Sequence, residues 1–153
     1  METNVWVYRH AGRGTDKVLG MHDGEQGMKV FLVEDSAEIR RRLIEMIDEI
    51  GGVEVVGEAE TYDQAVAGII QHQPDVAIFD IKLAEGNGID ALVEVKRHLP
   101  ALRGIVVSNY ATPQHIKAST DAGAEYFLDK TADFERIVEI LKHMQASSND
   151  ARA

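Results

Sequence analysis

Three stretches of this chain, residues 30–33, 76–79 and 105–107, are almost uninterrupted Val, Ile, Leu and Phe. A strand with one wet face alternates apolar and polar residues, whereas a strand covered on both faces has no reason to alternate. Together with two weaker runs, they predict strands over 29–33, 53–58, 76–79, 104–107 and 125–128. The stretches between them are longer, amphipathic and separately punctuated. After Ser36, the residues Ile39, Leu43, Ile47 and Ile50 mark one helical face, with Gly51 and Gly52 as the stop. Thr61 and Gln64 have capping-box spacing ahead of Ala65 and Ile69. Ile89, Leu92 and Val93 begin a third stripe that Pro100 closes, and Thr112 before Pro113 pairs a good cap with a good first helical residue. Phe134, Ile137, Val138, Leu141 and Met144 form the strongest stripe.

Five strands alternating with five helices imply right-handed crossovers and a mostly parallel sheet in a three-layer α/β domain. In open sheets of this kind the ligand site lies outside the carboxyl ends of the strands, where strand order reverses. Residues suited to phosphoryl chemistry stand at those ends. The first strand runs into Glu34 and Asp35, the third into Asp80, the fourth into Ser108, and the fifth into Asp129 and Lys130. The second ends blandly in Glu58 and Ala59, so an order of 2-1-3-4-5 would place it at the edge and bring Glu34 and Asp35 beside Asp80.

Three converging carboxylates repel each other and hold protons more tightly unless a cation intervenes. Oxygen-only donors, with no cysteine in the chain and no histidine nearby, favour magnesium or manganese. An ionised Asp80 can then attack phosphorus without a general base, while the cation, Lys130 and the hydroxyl and backbone amide around Ser108 neutralise charge on the incoming oxygens. Singly, these residues have ordinary readings: a helix cap, a loop hydroxyl, a solvated lysine. Their joint placement carries the functional reading. The six histidines do not cluster at ligand spacing, and His72 and His98 sit near helix carboxyl ends where a partly positive ring suits the dipole.

The remaining features narrow the setting. With 153 residues the chain accommodates one domain with a substantial core. A net charge of -10 argues against direct DNA binding, which needs clustered Lys and Arg. The absence of cysteine excludes disulfides, and no signal-peptide layout or membrane-length apolar stretch appears, so the expected location is cytoplasmic. Residues 1–27 carry five glycines and no sustained period, which reads as a disordered extension with Trp6 a candidate anchor; the domain runs over 28–146, and 147–153 form a polar tail.

The motifs "VEDS", "IFDIKLAEGNGI", "VVSNYA" and "GAEYFLDK", in that order, resemble the receiver domain of a bacterial two-component response regulator, of the stand-alone type. The resemblance implies a flavodoxin-like (βα)5 fold in which Asp80 accepts a phosphoryl group from a phosphohistidine on a sensor histidine kinase or histidine phosphotransfer protein. It implies Mg2+ held by Asp35, Asp80 and the backbone carbonyl of Lys82, with Glu34 acting through water. It further implies that Ser108, the Asn109 backbone amide and Lys130 steady the phosphoryl group, and that Ser108 and Phe127 switch the face made by helix four, strand five and helix five. Ile116 is the expected anchor of that fourth helix. With no output domain expected, the signal would pass to a downstream protein, and a phosphorylation-dependent homodimer stays open. The chain departs from the family pattern at Ala84 and Thr131, where proline is common, at Asn109, where Ala or Gly is usual, and at Lys82, which sets a positive side chain near the site. Two other classes remain: a receiver-like binding module working unphosphorylated, and an aspartyl-phosphate phosphatase, which Asp80-Ile81-Lys82 fits poorly because a second Asp two residues on is missing. Self-phosphorylation and self-dephosphorylation, rather than substrate turnover, is the chemistry expected.

Overall fold

The computed structural model describes residues 27–152, with side chains through 147. Of the extension read over residues 1–27, residues 1–26, Trp6 included, lie outside the described residues. In chain order the elements are β1 (Met28–Val33), α1 (Ala37–Asp48), β2 (Val53–Ala59), α2 (Tyr62–His72), β3 (Val76–Asp80), α3 (Gly88–His98), β4 (Arg103–Ser108), α4 (Pro113–Asp121), β5 (Ala124–Asp129) and α5 (Arg136–Arg152). The sheet is parallel, in the order β2-β1-β3-β4-β5. The α5 helix runs on through the polar segment from Ser147 to Arg152.

Alternation along the buried strands divides the core into two layers. Val30, Leu32, Val76, Ile78, Ile105 and Val107 pack with Leu43 and Ile47 of α1 and Ile137, Leu141 and Met144 of α5. Their neighbours Phe31, Val33, Ala77, Phe79 and Val106 pack on the other face with Ala65 and Ile69 of α2 and Ala91, Leu92 and Val95 of α3. Both faces of β1, β3 and β4 are therefore dry, which is why those strands read as unbroken apolar runs. The Phe31 ring lies where α2 meets the β1–β2 register shift: a methyl group at Gly57 or at Gly68 would each stand 2.6 Å from it.

Oxygens of Ser36, Thr61 and Thr112 accept the amides of Ile39, Gln64 and His115, as their sequences indicate, and Asn87, which the sequence reading did not single out, caps α3 by accepting from Ile89. The capping box is displaced by one residue, since Gln64 Oε1 accepts from the Glu60 amide at 2.8 Å rather than from Thr61. His72 Nδ1 lies 2.9 Å from the Gly68 carbonyl near the end of α2.

Three expectations need correction. The first helix ends at Asp48, ahead of the glycine pair, and Gly52 at φ +81° turns the chain into β2. Val93 is 42% exposed, because α3 buries Ala91, Leu92 and Val95 instead. Ile116 is 41% exposed and belongs to neither core layer; the fully buried residue of α4 is Ser119, whose hydroxyl donates to the His115 carbonyl at 2.8 Å. This helix lies over the edge of the sheet, beside β5, where little apolar surface is within its reach. Among the described residues no helix is long and apolar enough to cross a membrane.

Candidate phosphoryl-transfer and metal site

The carboxyl ends of β1, β3, β4 and β5 converge because the parallel register holds them level: Val33 pairs Phe79, Asp80 pairs Val107, and Ser108 pairs Asp129. Each chemical residue is the last of its strand or one of the first two beyond it. Glu34, Asp35 and Asp80 each place a carboxylate oxygen within 4.8 Å of the others. Glu34 and Asp80 are buried and Asp35 is exposed, so the pocket opens to solvent on the Asp35 side.

Lys130 reaches across from the end of β5. Its ammonium lies 3.0 Å from Asp80 Oδ2 and 2.9 Å from Glu34 Oε1, with only 8% of the side chain exposed. The contact with Asp80 is a hydrogen bond, whereas Glu34 Oε1 is a buried oxygen with no well-formed hydrogen bond. Glu34 Oε2 is held by the Ser36 amide at 3.0 Å.

One ammonium between two buried carboxylates leaves negative charge uncompensated. Burial pushes the Glu34 carboxyl up to about 7, against the lowering effect of the Ser36 amide and Lys130, and the Asp80 charge adds to the rise. Asp80 is raised too, first by burial and then by Asp35, with Lys130 opposing. Burial alone would lower the Lys130 ammonium, but its bonds to Glu34 and Asp80 win and raise it. A buried carboxylate oxygen whose one close partner is a shared ammonium, two carboxyls raised above their usual range and a donor set made only of oxygens suit a hard divalent cation.

A pH dependence follows. The Glu34 carboxyl is ordinary at 4.5 in the unfolded chain and about 7 when folded, so the folded state binds the extra proton between those values. Its contribution to stability is then full below 4.5 and is lost as the pH rises through 7. In EDTA, thermal melts of the wild type should fall from pH 5 to pH 8 more steeply than those of Glu34→Gln. A saturating divalent cation should remove the difference at pH 8; parallel slopes would contradict the assignment.

Ser108 is brought to the rim of the same pocket, but its hydroxyl is turned to its own loop. It accepts the Tyr110 amide at 2.9 Å and donates to the Tyr110 carbonyl at 3.2 Å. Lys130 is tied to this strand end by its backbone amide, 2.8 Å from the Ser108 carbonyl. Asn109 is exposed, and Phe127 is half-buried against the core layer beneath α2 and α3. The Lys82 side chain points to solvent, and its backbone forms an antiparallel bridge with Asn87 that closes the loop after β3.

Both positions where proline is common use an N–H that proline lacks. The Ala84 amide donates to the Glu60 carbonyl at 3.1 Å, tying the loop after β3 to the end of β2. The Thr131 amide donates to Asp129 Oδ1 at 2.9 Å, as does Ala132 at 3.0 Å, and these two bonds hold the Asp129 carboxyl below its usual range. Asp129 thereby shapes the turn that presents Lys130. Sequence reasoning had passed over this turn, although Asp two residues before an amide donor is a recognisable Asx-turn signal. It had also passed over Gly88, where a methyl group would stand 1.9 Å from the Asp80 carbonyl oxygen. No local pattern distinguishes that glycine from a helix-starting residue.

Residues 30–142 match the family model described as the response regulator receiver domain. The chain is 35% identical over 115 residues to the chemotaxis protein CheY of Thermotoga maritima, covering 75% of this chain and 95% of that protein. It is 30% identical over 119 residues to the DNA-binding transcriptional activator DevR/DosR of Mycobacterium tuberculosis, covering 78% of this chain but only 55% of the activator. Among solved structures, the phosphorylated cyanobacterial phytochrome response regulator RcpA superposes with a TM-score of 0.66 at 25% identity, covering 80% of this chain and 96% of that one.

Proposed function

Because this chain belongs to the response regulator receiver domain family, we propose that Asp80 is its phosphoacceptor in a two-component phosphorelay. The observation that carries the reading is the Lys130 ammonium, 3.0 Å from Asp80 Oδ2, in a pocket that also holds Glu34 and Asp35. An Asp80 oxygen bonds to phosphorus as the bond from phosphorus to the donor's imidazole nitrogen breaks, and the imidazole leaves to regain a proton from solvent. The donor is a phosphohistidine on a sensor kinase or phosphotransfer protein.

Asp35, Asp80 and the Lys82 carbonyl, with Glu34 behind, would hold magnesium, which would supply positive charge to the transferring oxygens. Lys130 holds Asp80 in place before transfer and afterwards offers its protons to the phosphoryl oxygens. Buried Glu34 sets the proton balance of the pocket. The Ser108 hydroxyl leaves Tyr110 to meet the phosphoryl group, joined by the Asn109 amide, and the loop after β4 moves with it.

That movement reaches α4, which is free to shift because Ser119 is its fully buried residue and Ile116 is open to solvent. Phe127, half-buried beside it, fills the space Ser108 leaves. The altered face is then read by a downstream protein or by a second copy of this chain.

Incubation with acetyl phosphate and Mg2+ should add one labile phosphate to the wild type by intact mass, and none to Asp80→Asn. An adduct of equal yield on Asp80→Asn would overturn the assignment; no adduct on either would favour the unphosphorylated binding module.

A further inference from the structure

The carboxylates of the pocket do not position themselves, and one arginine outside it grips the backbone that carries two of them. Arg40, on the first turns of α1, sends its guanidinium back across the loop after β1. Nε donates to Glu58 Oε1 at 2.8 Å, Nη2 to Glu60 Oε2 at 3.0 Å, and Nη1 to the backbone carbonyl of Glu34 at 2.7 Å. Its side chain is 13% exposed, unlike that of an ordinary surface ion pair. The fork therefore joins the start of the Glu34–Asp35 loop to the end of β2, and the Glu34 amide donates to the Ala59 carbonyl at 2.9 Å on the same seam.

The end of β2 also braces the other metal loop. The Ala84 amide reaches the Glu60 carbonyl at 3.1 Å and the Tyr62 amide reaches the Glu85 carbonyl at 2.9 Å. Residues 58–62 thus support both loops from which cation ligands come, and Arg40 is the side chain that fastens the first loop to them.

We propose that Arg40 is a positioning residue for the cation site, holding the Glu34–Asp35 backbone so that its carboxylates converge with Asp80. A planar fork suits the task because it presents several donors in fixed directions, which a single ammonium does not. The inference rests on the pocket's taking a divalent cation.

The test exploits opposite signs. Arg40→Ala removes a positive charge near the pocket and leaves Glu58 and Glu60 behind, so charge alone would make Mg2+ bind more tightly. Lost positioning makes it bind more weakly, by about 10-fold on the scale of outer partners of metal ligands. Calorimetric titration of Mg2+ at pH 8 and physiological salt should show that weakening in Arg40→Ala. Arg40→Lys keeps the charge, guards against a variant that fails to fold, and should show a smaller weakening in the same direction. In the cation-free protein, the Ser36 amide should exchange with solvent faster in both variants, while the rate of acetyl phosphate reaction should recover at saturating Mg2+. An unchanged or tightened Mg2+ affinity in Arg40→Ala, or an unchanged one in Arg40→Lys where the alanine variant does not fold, overturns the role of Arg40. Absence of Mg2+ binding by the wild type would instead overturn the cation reading beneath it.

Discussion

Gly88→Ala should lower the unfolding free energy by about 3 kcal/mol, at the upper end of what overpacking costs, and shift the melting temperature by roughly 10 °C. The added methyl group would stand 1.9 Å from the Asp80 carbonyl oxygen and 2.9 Å from its carbon. Both are backbone atoms at the end of the central strand, and the Gly88 amide is itself bonded to the Ile81 carbonyl at 2.8 Å, so neither partner can swing aside as a side-chain tip could. Relief would come only from moving the start of α3 or the end of β3, and the second displaces the phosphoacceptor. Phosphorylation by acetyl phosphate should therefore slow even at temperatures where the variant is folded. Gly51→Ala is the matching control, since its methyl group would meet nothing within 4 Å. Melts of the two variants that coincide would show that the close approach of Gly88 is not a constraint.

Lys130→Met should separate cation binding from phosphoryl transfer. The ammonium lies between Glu34 Oε1 and Asp80 Oδ2, and removing it leaves two buried carboxylates facing each other. Breaking a buried ion pair from one side costs about 3–5 kcal/mol when the remaining charge cannot escape. Here it can, because proton uptake by Glu34 or a bound cation relieves it, so the full loss appears only at pH 8 in EDTA. At pH 6, or with saturating Mg2+, the loss should be smaller. Mg2+ should bind the variant at least as tightly as the wild type, since a competing positive charge is gone. The rate of phosphate adduct formation should nonetheless drop by about 10²-fold, the usual effect of deleting one donor to developing oxygen charge. A wild-type rate in this variant would remove Lys130 from the transfer chemistry.

Much of this site was legible before folding because its residues occupy a position that the chain itself marks. Glu34, Asp80, Ser108 and Lys130 each follow an apolar run, and a parallel sheet gathers all such ends at one rim. The weaker readings failed where a helix had to choose its buried face. Val93 continues a plausible stripe, yet the buried face of α3 is Gly88, Ala91, Leu92 and Val95, at the spacing of one helical side, and Val93 lies one residue round from it. Ile116 is the largest apolar residue of α4, but the helix lies beside the sheet's edge, so size did not place it in the core. Arg40 sits in a run of three arginines, and composition offered no reason to separate it from Arg41 and Arg42, which stay exposed.

Local pattern alone determined which segments are strands and which residues stand at their ends, because apolar periodicity and caps act over a few neighbouring residues. Only the tertiary structure decided that Lys130 divides itself between two carboxylates, that burial raises the Glu34 carboxyl to about 7, and that Gly88 has no room for a methyl group. Those properties belong to distances between atoms tens of residues apart and to the exclusion of water around them, neither of which any short stretch of chain encodes.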